Sequence, residues 1–173
     1  MKYADLKLND IVNCREGIVV SLWMQGCPFR CKGCHNPQTW DFDGGKEIAE
    51  EELVDRILSA INVNGIKRGF AVLGGEPLCE QNAEYVDRIC EKVREAYPDI
   101  EIYIWTGYTF EHIDVSAAAH RAISYADYVI EGPFIESLRN IRLRMRGSTN
   151  QRVFKKIDGE FKDITNEIDS VKH

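Results

Sequence analysis

Three cysteines lie in one short run, Gly26-Cys27-Pro28-Phe29-Arg30-Cys31-Lys32-Gly33-Cys34-His35-Asn36-Pro37, with three and then two residues between them. Pro and Gly punctuate the run, which places the thiols on a loop. Thiolates are soft ligands that select iron–sulfur clusters, zinc or copper(I). A [4Fe–4S] cube normally takes four thiolates; this run supplies three, which leaves one iron open to a group other than protein. A structural zinc site would want a fourth Cys or His, usually at paired spacings. His35 follows Cys34 directly, and adjacent ligands rarely close one tetrahedron. A disulfide framework would leave one thiol over. The pattern points to an open cluster on Cys27, Cys31 and Cys34.

A second constellation, Gly74-Gly75-Glu76-Pro77, stands about 40 residues further on. Alone it reads as a turn. Its glycines would also let backbone groups approach a ligand closely, with Glu76 adding an acidic side chain. Thr106-Gly107-Tyr108 reads equally as a ligand contact or as turn chemistry. Cys14, Cys79 and Cys90 share no metal spacing, and Cys90 lies on an apolar helical face. Arg139, Arg142, Arg144 and Arg146 crowd one segment of an otherwise acidic chain. They suit a solvated loop, a ligand carboxylate or an acidic partner. No Ser–His–Asp or paired-carboxylate constellation is visible, which is consistent with chemistry carried by a cofactor and no catalytic side chain.

The elements that must position these motifs alternate. Residues 1–16 read as an extended arm or short edge strand. The continuous apolar run Ile18 to Met24 predicts a strand buried on both faces, with the cysteine loop at its C-terminal end. Lys46 to Asn62 predicts a helix, through Leu53, Val54, Ile57, Leu58 and Ile61. Phe70 to Leu73 predicts a strand leading into Gly74-Gly75. A helix through Ala83, Val86, Ile89, Cys90 and Val93 ends before Pro98. Strands follow at Ile100 to Trp105, Tyr128 to Ile130 and Val153 to Ile157, with a helix from the cap Thr109 to Ile123 between the first two. Alternation of this kind predicts βαβ units and a parallel sheet, with active-site residues at the C-terminal ends of strands.

The 173 residues make one domain the natural expectation, with a core over about 10–157 and a peripheral tail over 158–173. A formal net charge of -6 argues against nucleic acid or an anionic membrane as partner. The N-terminus, Met1-Lys2-Tyr3-Ala4-Asp5, has no apolar core of a signal peptide, and no apolar run is long enough to span a bilayer. Six cysteines in that context point to a reducing cytoplasm.

Cys27-x3-Cys31-x2-Cys34 resembles the cluster motif of the radical S-adenosylmethionine (SAM) superfamily. Six further stretches narrow the resemblance: Asp10-Ile11-Val12-Asn13, Gly26-Cys27, Cys34-His35-Asn36, Gly74-Gly75-Glu76-Pro77-Leu78, Trp105-Thr106-Gly107-Tyr108 and Gly147-Ser148-Thr149-Asn150-Gln151-Arg152-Val153. From about Asp10 to Val153 the chain resembles the activating proteins of anaerobic (class III) ribonucleotide reductases. Gly33 departs from the superfamily, many members of which carry an aromatic there. The resemblance implies an α/β fold, a partial (open) parallel β/α barrel; spacing alone leaves a flat doubly wound sheet open. It implies a [4Fe–4S] cluster on Cys27, Cys31 and Cys34, and SAM bound at its open iron and contacted by Gly33, Cys34, His35, Gly74, Gly75 and Glu76. It implies a protein substrate, the anaerobic reductase, left with a glycyl radical, and an external one-electron donor such as flavodoxin or ferredoxin. Another small radical SAM enzyme acting on a small molecule, or a non-catalytic iron–sulfur module, remain as alternatives.

Overall fold

The apolar runs form the centre of one sheet. In the computed structural model, which describes residues 1–113 and 116–170, β2 (Val19–Met24), β4 (Gly69–Gly74), β5 (Ile102–Trp105) and β6 (Tyr128–Glu131) are parallel neighbours in that order. The crossovers are α1 (Glu50–Ile61), α2 (Ala83–Ala96) and α3 (Ala117–Tyr125). Alternate strand residues face opposite sides. Val20, Leu22, Val72, Ile102, Ile104 and Val129 pack with the helices. Val19, Ala71, Leu73, Tyr103, Tyr128 and Ile130 form a second core on the other face. Cover on both faces explains the unbroken apolar runs.

The sheet is not wholly parallel, which corrects the expected parallel barrel. β1 (Lys2–Asp10) pairs antiparallel with β2, and β3 (Lys46–Glu47) antiparallel with β1. On the other side β7 (Arg152–Ile157) and β8 (Glu160–Asp163) continue antiparallel from β6. The result is a mixed eight-stranded sheet in the order β3-β1-β2-β4-β5-β6-β7-β8 within a single α/β domain. The turn between β7 and β8 is Asp158-Gly159, with φ of 52° and 85°. Two left-handed residues of this type make a tight hairpin, which can join only antiparallel strands.

Several boundaries also move. The N-terminal arm is a full nine-residue strand. Helix α1 begins at Glu50, because Lys46 and Glu47 pair with β1; Glu50, Glu51 and Glu52 then complement its N-terminal dipole. Helix α3 begins after Ser116, whose hydroxyl accepts the Ala119 N–H at 3.1 Å, not after Thr109. Phe110–His112 is a single 3₁₀ turn. Asp114 and Val115, placed inside that helix by the sequence, lie outside the described residues.

The expected peripheral tail instead closes the second core. Beyond β8, α4 (Thr165–Ser170) buries Ile168, and Ile164 is buried just before it. Asp169 holds the Arg146 guanidinium through two bonds of 2.9 and 2.6 Å. Ile168→Ala should therefore cost about 2–4 kcal/mol, whereas Ile141→Ala, at a side chain 85% exposed, should stay within about 0.5 kcal/mol. Urea unfolding compares them, and equal midpoints would return the tail to the periphery.

Candidate functional site

Past Met24 the chain turns at Gly26, with φ of 93°, into the cysteine loop. Both ends of that loop are pinned. Gly26 N–H donates to Thr39 O at 2.8 Å and Cys27 N–H to Trp40 O at 3.1 Å. The Gln25 amide reaches Gln38 O and Asp41 O at 3.2 and 2.6 Å. Arg30 and Gly33 take left-handed conformations that fold the loop back. Each thiol is met by backbone N–H groups: Cys34 Sγ by Asn36 at 3.4 Å, Cys27 by Phe29 and Arg30, Cys31 by Phe134. Burial pushes the Cys27 thiol up to about 11 and also raises Cys31. Both shifts favour the protonated thiol, so binding a metal at Cys27 and Cys31 would release protons.

The end of β4 packs directly on this loop. Gly75 N–H donates to Met24 O at 2.9 Å and Glu76 N–H to Gly26 O at 2.8 Å. A Cβ at Gly75 would lie 2.3 Å from Gly26 O, and one at Gly74 2.8 Å from Met24 N. The glycines are therefore required by the approach of two backbones, a tighter constraint than the ligand approach the sequence suggested. Asn82 clamps the junction, its amide reaching Gln25 O at 3.0 Å and Glu76 O at 2.9 Å.

Glu76 is buried and joins a third strand end. Its Oε1 accepts from Leu78 N–H at 2.9 Å and Thr106 Oγ1 at 2.7 Å, and its Oε2 from Gly107 N–H at 2.7 Å. Burial pushes the carboxyl up to about 7, against the pull of those hydrogen bonds. Thr106-Gly107-Tyr108 thus acts on Glu76. The Phe29 ring of the cysteine loop covers it, 4.8 Å from the Tyr108 ring and close enough that a Cβ at Gly107 would meet it at 2.8 Å.

A cavity of about 690 Å³ opens between these strand ends. Cys27, Cys31, Cys34 and His35 line it together with Gly74, Gly75 and Glu76. Gly33 does not line it; a side chain there would meet Glu136 Oε1 at 2.9 Å. His35 leans on Phe134, ring centroids 5.5 Å apart. On one rim Asp10 accepts from Val12 N–H, Asn13 N–H, Asn13 Nδ2 and Ser21 Oγ. Burial raises its carboxyl, but these bonds outweigh it and hold it below the usual range. The turn so fixed presents Ile11 and Val12, 71% and 74% exposed. The facing rim is the segment 134–147, tied down by Trp105 Nε1 to Met145 O at 2.7 Å and Arg144 to Arg15 O at 2.8 Å. Of the four arginines there, Arg146 is buried on Asp169, while Arg139 and Arg142 are exposed. Cys14, Cys79 and Cys90 are buried and free.

Gln25 and Asn82 escaped the sequence reading. Asn82 precedes α2, where Asn suggests a helix cap, yet its side chain makes no capping bond.

Residues 15–154 match the family described as 4Fe-4S single cluster domain. An anaerobic ribonucleoside-triphosphate reductase-activating protein from Vibrio cholerae is 34% identical over 152 residues, 87% of this chain and 96% of that protein. The chain belongs to this reductase-activating protein family. Proteins of the same name from Escherichia coli, at 32% identity over 88% of this chain and 97% of its own length, and from Enterobacteria phage T4, at 33% over 94% and 99%, are similar throughout.

The donor set of this activating-protein chain fits an iron–sulfur cluster: three thiols, each with backbone donors aimed at it, beside one cavity. Among the described residues no three His, Cys, Asp or Glu side chains are gathered so as to hold a single metal ion. A cube does not require that, since each thiolate binds a different iron.

Glu76 gives a pH test on the cluster-free chain. Its unfolded carboxyl titrates near 4.5 and its folded one near 7. Between these values the folded chain keeps a proton that the unfolded chain has lost. Its contribution is therefore complete below the unfolded value and falls by roughly 3 kcal/mol as pH rises through the folded one. Glu76→Gln, uncharged throughout, should lack that part of the slope in urea unfolding across this window; identical slopes would mean that Glu76 ionises freely in the fold.

Proposed function

We propose that this chain activates an anaerobic ribonucleotide reductase by removing a hydrogen atom from a glycine of that enzyme, leaving a glycyl radical. One observation carries the reading: the three thiols of Cys27, Cys31 and Cys34 share a cavity with the glycine-rich turn after β4. When bound there, a [4Fe–4S] cluster with SAM at its open iron supplies a 5′-deoxyadenosyl radical once reduced. The chain's own residues bind, orient and exclude water.

Cys27, Cys31 and Cys34 hold the cluster. The backbone of Gly74 and Gly75 and the Glu76 carboxylate receive the methionine end of SAM. Glu76 Oε2 accepts one hydrogen bond from the chain, and a carboxylate oxygen has room for a second donor such as an ammonium. His35, on the wall beside Cys34, flanks the adenine, and Gly33 serves the left-handed turn that aims Cys34. The C-terminal ends of the parallel strands β2, β4 and β5 supply the cavity wall. Six free cysteines suit a reducing cytoplasm, and no described helix is long and apolar enough to cross a membrane. The electron comes from an external one-electron carrier such as flavodoxin or ferredoxin.

A protein substrate is supported by the mouth of the cavity, where Ile11 and Val12 stand exposed. The radical is too reactive to diffuse, so the glycine must be held at about 3–3.5 Å from it. A flexible glycine loop of a partner can enter such a mouth.

Replacing Cys27, Cys31 or Cys34 with Ala should abolish stable iron and sulfide uptake under anaerobic reconstitution, while Cys14→Ala, Cys79→Ala and Cys90→Ala retain it. Full uptake by a variant lacking all three loop cysteines would remove the cluster site. The reduced, SAM-supplied chain should also generate an EPR-detectable glycyl radical on the reductase. Deuterium placed on that glycine's α-carbon should appear in 5′-deoxyadenosine. SAM cleavage without label transfer would assign the chemistry to another substrate.

A further inference from the structure

Charge is unevenly spread over this chain. It carries 28 acidic residues against 22 basic ones, yet residues 17–40 and 137–157 contain no Asp or Glu. The fold brings these two acid-free segments together beside the thiols. Lys32 Nζ lies 3.1 Å from Glu136 Oε2, the last acid before the second segment. Phe134 N–H meets Cys31, and a side chain at Gly147 would come within 3.6 Å of His35 Cε1. Asn140 N–H donates to Gly147 O at 3.1 Å, which keeps the tip of the second segment on the same side.

The outer surface of this junction is basic. Arg30 and Lys32 are exposed on the cysteine loop, and Arg139 and Arg142 are exposed on its neighbour. Among the described residues Arg30, Arg139 and Arg142 form no ion pair, whereas Arg146 and Arg152 are held by Asp169, Glu131 and Glu111. The exposed cations are thus available to a partner.

We propose that this basic face is the docking site of a small acidic one-electron carrier protein, which reduces the cluster through the outer side of the cysteine loop. The proposal rests on the functional reading above, since only a cluster that must be reduced needs such an entry. Pro28, Lys32 and Gly33 are exposed, so a protein seated on the loop comes close to Cys31 and Cys34 without entering the cavity. The cavity mouth beside Ile11 and Val12 stays clear for the substrate protein. Charge also selects the orientation. With a net charge of -6, the chain as a whole repels an acidic protein, whereas this face offers Arg30, Arg139 and Arg142, exposed and without an ion pair among the described residues, beside the cysteine loop. Electrostatic steering of that kind sets on-rate and orientation more than affinity, as a transient electron-transfer encounter requires.

The test uses the full chain loaded anaerobically with its cluster, and two double variants, Arg139→Glu with Arg142→Glu and Arg139→Gln with Arg142→Gln. Both leave the cysteine loop untouched. Cluster reduction is followed by bleaching of its visible absorbance, with either reduced flavodoxin or photoreduced 5-deazaflavin, a small reductant that needs no docking. At low salt the Glu pair should slow reduction by flavodoxin about tenfold or more and the Gln pair less, with the differences collapsing near 0.5 M salt, roughly where screening removes steering. Reduction by 5-deazaflavin and cluster content should be unchanged. Three results would overturn the proposal: an unaltered flavodoxin rate, an equal slowing with 5-deazaflavin, or normal reduction with loss of radical transfer to the reductase, which would give the face to the substrate protein. A parent chain that takes up no iron and sulfide would overturn the functional reading and this proposal with it, and is seen before any variant is made.

Discussion

The site depends on the contact of two backbones, Gly26 with Gly75 and Glu76. The parallel ladder of β2 and β4 pairs Met24 with Gly74, and the hydrogen bonds from Gly75 to Met24 and from Glu76 to Gly26 extend it into the loops. The cysteine loop therefore starts from a position fixed by sheet register. A slip of one residue would turn Glu76 to the opposite face and separate it from Thr106 and Gly107. Each bond contributes only about 1 kcal/mol, but a buried carbonyl left without its donor costs about 1–3 kcal/mol. Asn82 matters in that sense, because its amide serves carbonyls from both turns.

Glu76 carries the same constraint one strand further. A buried carboxyl is costly unless it is hydrogen-bonded, and here three donors come from two different strand ends. The ends of β2, β4 and β5 are thereby coupled through the Gly26 carbonyl and one carboxyl group. Phe29 reinforces the coupling from above, since the cysteine loop lays its ring on Gly107 and Tyr108. Displacing any one of these turns strains the other two.

The buried strands were legible because cover on both faces leaves an unbroken apolar run, and the cysteines because their spacing is narrow. The flanking strands were less so. β1 reads LKLND toward its end, with Leu8 exposed, and the β7–β8 hairpin, RVFKKI and EFKD, mixes charged with aromatic and aliphatic residues and buries only Val153. The Asp158-Gly159 turn was available as a hairpin signal. Helix α4 has six residues, too few to show a period, although Ile164 and Ile168 stand four apart. Thr109 and Ser116 are both acceptable caps, and Ser116 prevails where it precedes an alanine run of high helix propensity. No pattern along the chain marks Gln25 or Asn82. Their partners are carbonyls brought near by the sheet, and only the folded backbone reveals them.

The rim around the cavity has its own logic. On one side the Asp10 carboxylate fixes a turn through four hydrogen bonds, and on the other Arg144, Trp105 and Gln151 hold the segment that ends at Ser148. Backbone anchored in this way has little freedom to fold inward as a lid. Chemistry that must exclude water then needs closure from outside. The residues left exposed at the mouth, Ile11 and Val12, are apolar and β-branched, and they lose little side-chain entropy when covered. A small ligand inside the cavity would leave them in water; a polypeptide crossing the mouth would bury them. On this ground a protein substrate suits the cavity better than a small molecule does.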